Sequence, residues 1–255
     1  MGELKAGSIA FIGAGPGATD LITVRGLRML KEAEVVIHDA LPGDELLSEV
    51  SPGALLVAVG KRCGSHSTTQ AEIHLLLVEH AKAGRKVVRL KGGDPGIFGR
   101  LGEETEYLDL HGLPWQIVPG VTAAVASGAT AGFPLTHRGI TTAVTFLTAH
   151  CADGRTQDLR PFVASGATLC LYMGAKTLPT TALSLVESGM CPSTPVALIS
   201  KASQPGEKVT FVELRSLADG SVDVTVLPTP LLAVVGEVVR LGIPEDVRAS
   251  IQQVV

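Results

Sequence analysis

Cysteine is scarce and scattered in this 255-residue chain: Cys63, Cys151, Cys170 and Cys191 stand far apart, with no Cys-x-x-Cys pair and no matching His pair. That leaves no zinc-ligand spacing, and no metal site is expected. The thiols read as reduced cysteines of a cytoplasmic protein. A basic excess is missing too. Lys and Arg number 21 against 25 Asp and Glu, a formal charge of −4, which argues against general nucleic-acid binding. An anionic substrate would therefore have to be met by a local cluster of cations. Residues 1–7 are short and polar, so no signal peptide is expected. The uncharged stretch 117–136 has membrane-span length but is interrupted by Pro119, Gly120, Gly128, Gly132 and Pro134, and it reads as a buried loop and helix.

What the chain does have is apolar residues (45%) and 29 glycines, with only 18% charged residues. This suits a tightly wound α/β enzyme, because parallel strands are buried on both faces. The length lies near the size at which one core gives way to two. Apolar runs at 9–12, 35–37, 55–59, 87–90 and 116–118 alternate with helical patterns at 21–33, 69–83 and 102–110. Thr69 with Glu72 forms a capping box at the start of the second helix. Such alternation predicts a parallel sheet. The pattern restarts at 143–148, 168–173, 196–199, 208–212 and 231–235, with a helix at 178–188. The expected architecture is two α/β domains with mainly parallel sheets, 1–138 and 139–255, and an active-site cleft between them.

The densest motif is Lys91-Gly92-Gly93-Asp94-Pro95, followed by Ile97-Phe98-Gly99-Arg100 and Glu103-Glu104. It follows a predicted strand, and ligands of open α/β sheets bind at strand carboxyl ends. Gly13-Ala14-Gly15-Pro16-Gly17-Ala18 satisfies a loose dinucleotide fingerprint, with Asp39 about twenty residues on. Pro16 removes a backbone donor that a pyrophosphate would want. Gly60-Lys61-Arg62 brings two adjacent cations after a strand. Pro119-Gly120-Val121-Thr122-Ala123 opens a helix with small residues, and Pro134-Leu135-Thr136-His137-Arg138 places a cation near the expected domain junction.

These blocks in this order, with Arg89-Leu90, Leu171-Tyr172-Met173-Gly174 and 234–239, resemble the uroporphyrinogen-III C-methyltransferases of the tetrapyrrole methylase superfamily. The resemblance runs from about residue 9 to 239. It implies a homodimer that uses S-adenosylmethionine, releases S-adenosylhomocysteine, and methylates uroporphyrinogen III twice to give precorrin-2 for sirohaem, cobalamin or related tetrapyrroles. By position it implies cofactor contacts at Pro16, Gly92, Gly93, Asp94, Ile97, Thr122, Ala123, Met173 and Ala202. Asp39 corresponds to the family's proton acceptor and Lys61 to its proton donor, while Arg100, Glu103 and Arg138 correspond to substrate-handling groups. Lys61, Arg62, Lys91, Arg100 and Arg138 are the cations expected to meet the eight carboxylates of that substrate. Asp39 and Glu103 both remain candidates for removing the ring proton.

Four departures from the family pattern fall in these blocks: Ala40-Leu41-Pro42 for Arg-Leu-Val, Gly96 for Phe, Gly139 for Asp, and Lys201-Ala202-Ser203 for Asn-Gly-Thr. Alternatives are a later precorrin methyltransferase of the same fold, a nucleotide-dependent oxidoreductase built on the Gly13 loop, and a non-catalytic tetrapyrrole carrier. No appended dehydrogenase-ferrochelatase segment is recognisable, so the chain reads as a stand-alone methylase that binds neither membrane nor nucleic acid.

Overall fold

A computed structural model describes residues 3–60, 68–148 and 157–245. The chain divides into two compact units, Met1–Thr122 and Ala123–Val255.

In the first unit β1 (Ile9–Gly13), β2 (Val35–His38), β3 (Leu55–Ala58), β4 (Val87–Lys91) and β5 (Trp115–Val118) form one parallel sheet in the order β3-β2-β4-β1-β5. The central strands β1, β2 and β4 are buried along their whole length, which is why they read as unbroken apolar runs. On one face Ala10, Ile12, Val36, Val88 and Leu90 pack with Met29 and Leu30 of α1 (Val24–Glu32) and Leu46 of α2 (Asp44–Leu47). On the other, Ile9, Phe11, Val35, Ile37 and Val87 pack with Ile73 and Leu77 of α3 (Gln70–Lys82) and Leu108 of α4 (Leu101–Leu110). The capping box at Thr69 and Glu72 forms as its residue types demand.

The second unit contains α5 (Ala123–Thr130), β6 (Val144–Thr148), α6 (Arg160–Ala164), β7 (Thr168–Tyr172), α7 (Leu178–Glu187), β8 (Pro195–Ser200), β9 (Lys208–Glu213), α8 (Leu214–Ala218) and β10 (Leu231–Val235). Its sheet runs β6-β7-β10-β8-β9, and here the expectation of mainly parallel sheets needs correcting. β6 and β7 are parallel, but β7/β10, β10/β8 and β8/β9 are antiparallel. For β8/β9 the physical reason is connection length: residues 201–207 join the two strands without room for the crossover that a parallel pair needs, and β10 then enters between β7 and β8 running against both.

The division between units also falls earlier than 138. Ala124 of α5 and the following Ala131 and Phe133 are buried with Ala197, Ile199, Leu232, Val234 and Val238 of the second sheet. The helix therefore belongs to that core, whereas its small-residue sequence alone does not say which sheet it covers.

Candidate active site

In the first sheet the connection from β1 runs to β2 on one side, and that from β4 runs to β5 on the other. The carboxyl ends of β1 and β4 thus flank a switch point, the place where open α/β sheets bind ligands. The loops leaving it are tied together. Ala14 N–H donates to the Lys91 carbonyl at 2.8 Å, Gly93 N–H to the Gly15 carbonyl at 2.7 Å, and Gly15 N–H to the Gly93 carbonyl at 3.2 Å. Both Asp94 carboxylate oxygens are used internally: Oδ1 accepts from Gly96 N–H at 2.8 Å and Oδ2 from Gly120 N–H at 2.9 Å. Asp94 therefore clamps the loop after β4 to the loop after β5, and Ile97 N–H closes the turn on the Asp94 carbonyl at 3.2 Å.

Close approach explains the glycines. A Cβ at Gly13 would lie 2.6 Å from Gly120 Cα and from the Gly93 carbonyl oxygen, so backbone meets backbone where three strand ends converge. At Gly92 the obstacle is the Leu41 side chain, 2.5 Å from such a Cβ, so an internal neighbour already demands glycine there.

Charge gathers beside this point. Arg89 and Lys91 of β4 and Glu104 of α4 are each 3% exposed or less. Arg89 Nη2 donates to Asp39 Oδ1 at 2.6 Å and its Nε to Glu104 Oε1 at 3.3 Å, while Lys91 Nζ donates to Glu104 Oε2 at 2.7 Å. Gln70 Nε2 adds a 3.0 Å bond to Glu104 Oε1. Burial, and then the neighbouring Arg89, push the Lys91 ammonium below its ordinary range. Lys91 was expected among the cations facing substrate carboxylates; instead it is committed to Glu104, because its strand turns it into the core. Asp39 keeps about a third of its side chain exposed.

Arg100 and Glu103 stand outside this buried group and form their own two-pronged pair, Nε to Oε1 at 2.8 Å and Nη2 to Oε2 at 2.6 Å, both more than half exposed. The hydrogen bonds from Arg100 hold the Glu103 carboxyl below the usual carboxylate range, which weakens Glu103 as a proton acceptor. Lys61 lies outside the described residues, as does Arg62. Their neighbour Gly60 is described, and a Cβ there would lie 2.0 Å from Ala40 N, so that loop starts beside the residue after Asp39.

In the second unit Ala123 begins α5, and Ala124 N–H donates to the Tyr172 hydroxyl at 3.0 Å. Met173 follows at the end of β7, 59% exposed with φ 55°. Ala202 is buried in the core that also holds Ala124. Arg138 is exposed in a turn closed by His137 N–H to the Thr141 carbonyl at 3.1 Å. Gly139 in that turn has φ 85°, a conformation that favours glycine, which accounts for that departure. Every non-glycine residue with positive φ among those described, Phe98, Arg100, Met173, Lys201 and Ser203, lies in a loop after β4, β7 or β8. Such backbone costs about 1–3 kcal/mol per residue and clusters at functional loops.

Sequence reasoning missed Arg89 and Glu104 as working residues. The signal was there: an arginine inside the otherwise apolar run Val87-Val88-Arg89-Leu90 has to find a buried acid. The dinucleotide alternative fails on topology. In that fold β1 and β2 are neighbours, so an acid ending β2 reaches a ribose held at the β1 loop. Here β4 intervenes, so Asp39 lies two strand spacings from β1 in place of one, about 5 Å further away. Among the described residues no group of three or more His, Cys, Asp or Glu is placed to hold a metal ion, and no helix is long and apolar enough to cross a membrane.

A family model described as Tetrapyrrole (Corrin/Porphyrin) Methylases matches residues 8–218. An S-adenosyl-L-methionine-dependent uroporphyrinogen III methyltransferase of Arabidopsis thaliana, chloroplastic, is 42% identical over 94% of this chain and 66% of its own length. The chain spans about half the length of the bacterial siroheme synthases that it also matches. Uroporphyrin-III C-methyl transferase from Thermus thermophilus, complexed with S-adenyl homocysteine, superposes with a TM-score of 0.81 at 39% identity, covering 94% of this chain and 96% of that one. A cobalt precorrin-4 methyltransferase of cobalamin biosynthesis gives the same TM-score, 0.81, at 27% identity over 93% and 97% of the two chains.

Proposed function

Because the chain belongs to the tetrapyrrole (corrin/porphyrin) methylases, we propose that it transfers methyl groups from S-adenosylmethionine to uroporphyrinogen III, twice, to give precorrin-2 and S-adenosylhomocysteine. The observation that carries this reading is the difference in identity at equal TM-score: 39% to the uroporphyrin-III enzyme against 27% to the precorrin-4 enzyme. The fold alone is shared by both, so it does not choose the ring.

The donor set suits the cofactor. Pro16 lacks the N–H that a pyrophosphate would use, and Lys91, the cation that ends β4, is occupied by Glu104. The Glu104 carboxylate offsets the Lys91 charge where a positively charged sulfur would lie. S-adenosylmethionine would supply an electrophilic methyl group, and loss of that methyl leaves its bonding pair on sulfur. Pro16, Gly92, Gly93, Asp94, Ile97 and Thr122 of the first unit, and Ala123, Met173 and Ala202 of the second, are the contacts assigned to it. For Gly92 and Asp94 the assignment rests on backbone atoms, since the Asp94 carboxylate is spent on Gly96 and Gly120.

Methyl transfer to a ring carbon asks chiefly for positioning. The new carbon–carbon bond leaves the ring one proton in excess, and Asp39 takes it; Lys61, assigned as proton donor, protonates the ring only where a second ring proton is lost, so that one proton leaves per methyl. Arg100, Glu103 and Arg138 handle the substrate: the two arginines meet its carboxylates with their planar forks, and Glu103 holds the Arg100 fork in place. The protein works as a cytoplasmic homodimer. Incubation with uroporphyrinogen III and S-adenosylmethionine, followed by mass analysis, should yield a doubly methylated product. Binding of the tetrapyrrole without methyl transfer would favour a carrier, and methylation only of a ring already carrying methyl groups would favour a later precorrin enzyme.

A further inference from the structure

We infer that Arg89 is a positioning residue for Asp39: its guanidinium, braced from behind by Glu104, holds one carboxylate oxygen of Asp39 and leaves the other to act. The inference rests on the proposed role of Asp39 as proton acceptor.

The backbone sets the geometry first. β2 and β4 are paired with Ile37 opposite Arg89, and Asp39 N–H extends that ladder by donating to the Leu90 carbonyl at 3.2 Å. Asp39 is thereby fixed at the strand end. Arg89 and Lys91 lie two residues apart and so leave β4 on the same face, where Glu104 of α4 accepts from both, at 3.3 Å and 2.7 Å. Arg89 bridges two acids with different edges of its fork, Nη2 to Asp39 and Nε to Glu104. Two further long bonds, Nη1 to the Ile37 and Leu90 carbonyls at 3.4 Å each, keep the plane from rotating.

Asp39 Oδ1 is thus engaged at 2.6 Å, and among the described residues Oδ2 has no hydrogen-bond partner. A carboxylate tethered by one oxygen, partly exposed at the end of β2 beside β4, presents its second oxygen in a defined direction. Stability does not explain this arrangement well. Two buried cations and a buried acid carry a desolvation cost that well-packed apolar residues would avoid, whereas a planar fork anchored to Glu104 by one edge can hold Asp39 by a single oxygen with the other. Lysine cannot span both acids.

The test is a double-mutant cycle on turnover of uroporphyrinogen III with S-adenosylmethionine, using Arg89→Lys, Asp39→Asn and the pair. Arg89→Lys keeps the charge facing Glu104. It should lower kcat by about 10- to 100-fold, the scale of a misplaced reacting group, with calorimetric S-adenosylmethionine affinity within about threefold of the parent. The double variant should be no slower than Asp39→Asn alone, because Arg89 acts through Asp39. Should Arg89→Lys fail to fold, Arg89→Gln/Glu104→Gln removes one charge of each sign and enters the cycle in its place. An unchanged kcat in the folded Arg89 variant, or losses that multiply in the double variant, would overturn the inference. Parent turnover by Asp39→Asn would instead overturn the assignment of Asp39 itself, a separate result.

Discussion

A methyl group placed on Gly120 would lie 2.3 Å from the Gly93 carbonyl oxygen and 2.8 Å from Gly13 Cα, with no flexible side chain to give way. Gly120→Ala should therefore push the β5 loop off the β4 loop and break the Asp94 clamp on Gly120 N–H. Overpacking of this kind costs about 1–3 kcal/mol. The expected outcome is a lower denaturation midpoint together with weaker S-adenosylmethionine binding, read by calorimetry on the folded variant. A parent-like midpoint would mean that the three loops are not packed as tightly as these distances require. Glycines in these motifs were legible as sites of close approach, but the sequence does not say what approaches. At Gly13 and Gly120 the neighbour is another strand-end loop, and at Gly92 it is Leu41.

Adjacent residues of one helix can have opposite fates, and α4 is the case that matters. Glu104 is 1% exposed and takes the buried cations, while Glu103 stays on the surface with Arg100. A helix turns about 100° per residue, so one of two consecutive glutamates must face the core, but α4 is too weakly amphipathic for its sequence to say which. Packing of α3 against α4 decides it. Gln70 reaches Glu104, and the His74 ring stacks on Tyr107 at 4.8 Å. Burial holds His74 below its ordinary 6.5, although Glu104 and Glu103 pull the other way. The folded state then binds this proton less readily than the unfolded chain. Stability contributed by neutral His74 is fully present above about 6.5 and declines as pH falls through the window beneath it. Replacing His74 with Gln should flatten the dependence of the urea midpoint on pH as pH falls below about 6.5. An unchanged slope would show that His74 titrates alike in both states.

At the scale of the molecule, Arg100 belongs to the first unit and Arg138 to the second, and each unit has its own apolar core. A change at either arginine should therefore leave both cores intact. Under the proposed function, Arg100→Ala and Arg138→Ala should each keep S-adenosylmethionine affinity within about threefold while turnover falls about 30-fold or more, the cost of removing one partner from a desolvated charge pair. Arg→Lys should restore turnover only in part, because the charge returns without the fork. Parent-rate methylation by both alanine variants would remove them from the substrate site.

Sequence alone determined the alternation of strand and helix in the first unit, the capping box, the glycine-rich loops at the strand ends and the family resemblance. These are local features, written in periodicity, turn residues and motif spacing. Tertiary structure decided what depends on neighbours distant in the chain. It made three of the four pairings in the second sheet antiparallel, β8/β9 through the short connection 201–207 and the other two because β10 enters between β7 and β8 and runs against both. It gave α5 to the second core through contacts with β8 and β10. It also turned Lys91 away from the solvent and joined Asp39 to Arg89, residues fifty positions apart, because β2 and β4 lie side by side and buried charges must find partners within reach.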